Sequence, residues 1–225
     1  MKGKIIVIDG MDGTGKQTQS ELLYKKLSEN NDKVLLYSFP TYGESSYFIE
    51  KYLKEGYCRD INDPKLHSLF YVIDRYIGYI NDVKQKYEEG YTIIFDRYVI
   101  SNLIFNYHKC KDIDKCVDSS FILFHFNIEH LALKLPKPDI NFIFYSDTSI
   151  NNRLMENRKE TDLNEKSEYQ KNVLKTIKRF ITFEDLERLY GKIDYICIHD
   201  DKCNIKDIAE IHEHIINRLK VENII

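Results

Sequence analysis

The stretch Ile5-Ile6-Val7-Ile8-Asp9-Gly10-Met11-Asp12-Gly13-Thr14-Gly15-Lys16-Gln17-Thr18 decides how this chain is read. It opens with an unbroken apolar run, the pattern of a strand covered on both faces. Three glycines follow, and glycine lets backbone N–H groups face a ligand without interference from a side chain. A helical pattern then begins at Gln17, with Leu22, Leu23 and Leu27 at helical spacing. Strand, glycine loop and helix start form the context in which GxxxxGK reads as a cradle for phosphates.

The expected ligand is a nucleoside triphosphate, held by Gly10, Met11, Asp12, Gly13, Thr14, Gly15 and Lys16 and the first turn at Gln17 and Thr18. Lys16 supplies a point charge to the β and γ phosphates, and the helix contributes its positive N-terminal end. The residue after the lysine is ordinarily Ser or Thr, whose hydroxyl meets Mg2+. Here it is Gln17, which offers an amide oxygen. Thr18 sits about 100° further round the helix and is no direct replacement.

Further apolar runs fall at residues 34–39, 92–96 and 140–145, with a fifth at 193–198. Helical patterns at 17–29, 64–89, 149–158, 165–190 and 205–219 separate or follow them. Alternation of this kind predicts a doubly wound α/β fold, a five-stranded parallel sheet with helices on both faces. The 225 residues suit a single domain spanning 1–225. The most polar stretch, about 156–168, reads as a surface loop or a lid. In the long helix, Leu66, Phe70, Ile73, Ile77 and Ile80 are expected to form the core-facing stripe, with Tyr71 and Arg75 on the opposite side.

The net charge of −3 gives no basic excess, so nucleic acid is not an expected partner. No run approaches the roughly 20 apolar residues of a membrane helix, and the first apolar run is too short for a signal peptide. Five cysteines without a CxxC pair read as free thiols, which suits a cytoplasmic location. His212 and His214 are expected at the surface, and no protein-built metal cage is expected.

A second group of residues stands apart from the loop. The third apolar run ends in Asp96-Arg97-Tyr98. Ligands of open α/β sheets lie beyond the carboxyl ends of the strands, so Asp96 is expected near the loop, holding Mg2+ or its waters. Arg97 can grip a phosphate with two parallel hydrogen bonds. The other reading is a surface Asp–Arg pair. Tyr71 and Arg75 are one helical turn apart and share a face. Periodicity alone favours a solvent-facing pair; the alternative is a ring that stacks a base beside a guanidinium that holds a phosphate.

Together these residues resemble the thymidylate kinase family. The matching blocks, in family order, are residues 9–19, Phe39-Pro40-Thr41-Tyr42-Gly43, Asp96-Arg97-Tyr98-Val99-Ile100-Ser101-Asn102, Leu135-Pro136-Lys137-Pro138-Asp139, and Arg158-Lys159 with Asp162 and Glu165. The resemblance implies a P-loop nucleoside monophosphate kinase fold with a short lid. It also implies transfer of the γ-phosphoryl group of ATP to dTMP, with Mg2+. In that scheme Lys16, Asp12 and Arg97 are catalytic, with Arg158 or Arg153 brought in by the lid because residues 11–14 contain no base. Asp12, Phe39, Pro40, Tyr42, Tyr71, Arg75, Arg97, Ser101, Asn102 and Phe105 form the dTMP site. Tyr71 stacks on thymine, Asn102 lies near the base, and Phe105 crowds C2′. Asp96 and Gln17 are the metal candidates. Thr41 stands where members often carry an arginine for the acceptor phosphate. The resemblance further implies a homodimer packed through helices. Two other readings stay open: a kinase for another deoxynucleotide or deoxynucleoside, and a non-catalytic nucleotide-binding module.

Overall fold

The computed structural model describes residues 2–58, 60–61, 63–110, 119–155 and 167–225. Five parallel strands form one sheet: β1 (Lys4–Gly10), β2 (Val34–Ser38), β3 (Thr92–Asp96), β4 (Ile140–Tyr145) and β5 (Lys192–Cys197). Their spatial order is β2-β3-β1-β4-β5. The register places Ile5 beside Ile93 and Val7 beside Phe95 on one side of β1, and Ile8 beside Phe142 on the other. Ile5, Ile6, Val7 and Ile8 are all fully buried, which is why the run is continuous rather than alternating.

Helices cover both faces. The first face holds α1 (Lys16–Ser28) and α10 (Ile208–Val221), whose Leu23, Ile211, Ile215 and Leu219 pack on Ile6, Ile8, Ile94, Phe142 and Phe144. The second holds α3 (Pro64–Gly78), α5 (Ile100–Asn106), α6 (Ser119–Phe126) and α8 (Ser167–Ile181). There Leu103, Ile104, Phe121, Ile177 and Phe180 join Ile5, Val7, Ile93 and Phe95 in the larger core. The remaining helices are α2 (Tyr47–Glu50), α4 (Lys84–Glu88), α7 (Thr148–Met155) and α9 (Asp185–Tyr190). The doubly wound five-stranded sheet expected from the sequence is the observed fold. No helix among the described residues is long and apolar enough to cross a membrane.

The stripe expected to face the core on the long helix points the other way. Ile73, Ile77 and Ile80 are 48%, 40% and 39% exposed, whereas Val72, Asp74, Arg75 and Gly78 are buried. The cause is polar satisfaction. Asp74 accepts from Thr41 N (2.9 Å), Ser45 Oγ (2.6 Å) and Ser46 Oγ (2.7 Å), and Arg75 finds a buried carboxylate. These bonds remove the desolvation penalty that would otherwise forbid burying such residues. Gly78 permits the approach: a Cβ there would lie 2.9 Å from Tyr37 Oη and 3.0 Å from Phe39. The helical segments at 47–55, 100–109 and 119–132 were not anticipated, and the single helix expected over 165–190 is two, α8 and α9.

Gly10 closes the central strand against β4. Its φ is +122°, and a Cβ would lie 2.0 Å from the carbonyl oxygen of Phe144. The obstacle is sheet backbone, which cannot move aside. Gly10→Ala should therefore destabilise the fold by about 3 kcal/mol or more, measured as a lower urea midpoint; an unchanged midpoint would contradict the steric argument.

Candidate active site

The site lies beyond the carboxyl ends of β1 and β3. Asp9, the penultimate residue of β1, is fully buried. It accepts from Gly10 N (2.8 Å), Tyr98 N (3.2 Å) and Ser101 Oγ (2.6 Å). One carboxylate thus joins the start of the glycine loop to the turn after β3. Sequence reasoning passed over it, although an Asp closing an apolar run was a visible signal.

The loop itself is tight. Thr14 Oγ1 donates to Met11 O (2.8 Å). Lys16 stands at the first position of α1 behind a left-handed Gly15. Its side chain is 7% exposed, its Nζ donates to Met11 O, and it lies 4.0 Å from Asp12. Burial, then the neighbouring Arg97, lower its pKa to about 8. Gln17 and Thr18 are exposed, and the Gln17 amide nitrogen donates to Glu21 Oε1 (2.9 Å), along the outer face of α1.

Arg97 follows β3 with φ of 68°, a left-handed conformation that costs a non-glycine residue about 1–2 kcal/mol. The strain is offset by what the geometry achieves. The guanidinium donates to Asp12, lies 3.7 Å from Asp9, and sits 4.8 Å from the Phe105 ring. Burial raises the Asp12 pKa, but Arg97, Lys16 and a hydrogen bond from Gln170 outweigh it, and the carboxyl lies below its usual value. Asp96 goes the other way: burial wins over Arg97 and Lys16 and raises its pKa.

Asp96 is also the residue best suited to a metal. Its carboxylate forms no side-chain hydrogen bond among the described residues, and Asp9 and Asp12 are its electrostatic neighbours. An oxygen-only donor set with spare lone pairs fits a hard cation such as Mg2+. A second group, Asp147, His199 and Cys203, gathers beyond β4 and β5. There the imidazole is already used: Nε2 accepts from Asp147 N (3.2 Å) and Nδ1 donates to Asp200 O (2.8 Å).

Beside the loop opens a cavity of about 230 Å³. Asp12, Phe39, Pro40, Tyr42, Tyr71, Arg75, Arg97, Ser101, Asn102 and Phe105 all line it, so the structure brings together every residue that the resemblance grouped around dTMP. Leu53, Asp74, Asn106 and Lys109 line it as well; no motif in the sequence marked them. Lys109 donates to Asn106 Oδ1 (2.8 Å), and burial lowers its pKa to about 8. Helix α8 reaches the site through its first turn. Tyr169 Oη donates to Phe105 O, and Gln170 Nε2 donates to Asp12 Oδ2 (3.0 Å). Arg153 is exposed on α7. Arg158 and the segment 156–166 lie outside the described residues.

Comparison with known proteins points to one family. The family model described as thymidylate kinase matches residues 8–190. A thymidylate kinase of Schizosaccharomyces pombe is 31% identical over 179 residues, 79% of this chain and 77% of its own. A probable thymidylate kinase of Methanococcus aeolicus is 31% identical over 226 residues, 99% of this chain and 98% of its own. The structure of thymidylate kinase from Candida albicans superposes with a TM-score of 0.69 at 19% identity, covering 99% of this chain and 93% of that one, a likeness of fold.

The Lys16 pKa gives a test. The protonated amine attracts phosphate, and it loses its proton as pH rises through about 8. Affinity for inorganic tripolyphosphate, measured by calorimetry, should fall by up to about tenfold per pH unit above that point. Lys16→Met should bind weakly with no such dependence. A wild-type affinity unchanged up to about pH 10 would remove Lys16 from the role.

Proposed function

The chain belongs to the thymidylate kinase family, and on that premise we propose that it transfers the γ-phosphoryl group of ATP to dTMP, giving dTDP. The observation that carries the proposal is the shared boundary of the two sites: Asp12 belongs to the phosphate loop and lines the acceptor cavity, and Arg97 pairs with it there.

Phosphoryl transfer asks the protein mainly for positioning and for positive charge around the moving group. The loop N–H groups and Lys16 hold the donor phosphates. Arg97, held by Asp12 and Asp9, holds the acceptor phosphate between the two sites. Tyr71 stacks on the base, Phe39 and Pro40 close its edge, and Phe105 leaves no room for a 2′-hydroxyl. The acceptor phosphate is itself a competent nucleophile near neutral pH, so no general base is required. Mg2+ neutralises charge on the donor phosphates when bound, and Asp96, with Asp12 and Asp9 nearby, would hold it or its waters. The lid, about 156–168, supplies Arg158, with Arg153 as the other candidate. Its closure excludes water and so limits wasteful hydrolysis. The Gln170–Asp12 and Tyr169–Phe105 contacts support a mechanical link from the lid to the acceptor cavity. The chain acts as a single domain in the cytoplasm.

The apolar face of α3 supports a homodimer. Ile73 and Ile77 are exposed on it, Ile80 is exposed in the helical turn that follows, and Leu123 is 44% exposed on neighbouring α6, where Lys65 lies 5.2 Å from the Phe124 ring. A second copy that presents the same face would bury both stripes.

Purified protein with ATP, Mg2+ and a panel of nucleoside monophosphates should release ADP fastest with dTMP. Release no faster than background with every acceptor would sink the catalytic reading. Ile77→Asp should convert the dimer to a monomer by sedimentation, because a charge in an apolar interface costs several kcal/mol. A wild-type chain that sediments as a monomer at micromolar concentration would overturn the dimer.

A further inference from the structure

Arg75 and Asn102 line the acceptor cavity from two different helices, yet both are held by one side chain. Glu129, in the helical turn after α6, is fully buried. Its Oε2 accepts from Arg75 Nη1 (2.5 Å), and its Oε1 accepts from Asn102 Nδ2 (3.0 Å). Neither the phosphate loop nor any motif in the sequence involves this residue.

The polarity of the arrangement follows from chemistry. An ionised carboxylate only accepts hydrogen bonds. Asn102 must therefore turn its NH2 toward Glu129, since the reversed amide would set its carbonyl oxygen against the carboxylate. The polar atom Asn102 has left for the cavity is then Oδ1, an acceptor. Arg75 has only donors, and its buried Nε has no partner among the described residues. One carboxylate thus fixes a donor and an acceptor on the cavity wall.

We propose that Glu129 is a positioning residue that sets the base selectivity of the acceptor site, making it read a keto pyrimidine and reject an amino pyrimidine. The inference rests on the dTMP reading above. A keto pyrimidine presents a carbonyl oxygen beside N3–H, which matches Arg75 and Asn102 Oδ1. Cytosine presents an amino group beside an unprotonated N3, which meets donor with donor and acceptor with acceptor. Sites that leave buried polar groups mismatched discriminate strongly.

Glu129→Gln tests this. Its single oxygen goes to the cationic Arg75, so its NH2 faces Asn102 and the Asn102 amide reverses. The ratio of kcat/KM for dTMP to that for dCMP should fall about tenfold or more, while Glu129→Asp, which still only accepts, should keep the wild-type preference. Asn102→Ala should lower the ratio as well, and it decides the matter if Glu129→Gln does not fold. An unchanged ratio in folded Glu129→Gln, with both substrates slowed equally, would reduce Glu129 to a structural role, and so would an unchanged ratio in Asn102→Ala. A wild type that turns over neither nucleotide removes the dTMP reading and this inference with it. A wild type that prefers dTMP while a variant keeps the ratio overturns the inference alone.

Discussion

The burial of Asp9 organises much of this molecule. A carboxylate removed from water must be matched by donors or it destabilises the fold. Asp9 is matched by two backbone N–H groups and the Ser101 hydroxyl, and these come from the end of β1, the turn after β3 and the first turn of α5. Satisfying one buried charge therefore fixes the relative position of two ligand sites that are 87 residues apart in the chain at Gly10 and Arg97. Arg97 inherits its strained conformation from this junction, and Asp12 inherits its partner.

What the sequence made legible were features whose physics is local. A strand buried on both faces must be continuously apolar, and four such runs plus a fifth were visible. A phosphate loop needs its glycines and lysine in order, and they were. The α3 face could not be read this way. Periodicity sees an apolar stripe, and it cannot see that Thr41, Ser45 and Ser46 on a distant segment will satisfy Asp74, or that Glu129 will satisfy Arg75. The same reason hid Leu53, Asn106, Lys109 and Gln170. Each reaches the site by folding, not by spacing. The resemblance grouped the residues that line the cavity before any geometry did. Glu129 had no marker at all, because a lone Glu in a helical pattern is ordinarily a surface residue.

Charge in the site is arranged as a compact alternation. Asp9, Asp12 and Asp96 surround Lys16 and Arg97. Three acids against two bases leave the cluster within one formal charge of neutral, so each cation is balanced where it stands. Burial strengthens every term in this set. It also explains the opposite shifts of two neighbouring acids: Asp12 bonds directly to Arg97 and Gln170, whereas the Asp96 carboxylate has no hydrogen-bond donor among the described residues.

Gly78 carries a consequence for how such a pocket can change over time. A methyl group at position 78 would meet the Tyr37 hydroxyl, the Phe39 ring and the Thr41 methyl at 2.9, 3.0 and 3.1 Å. All three are side-chain atoms, so the space above α3 is shared between one hydrogen and three rotamers. Of the three residues, Phe39 lines the cavity. A change at position 78 would therefore be felt in the cavity through the tilt of one ring, at a distance and without touching the cavity wall itself.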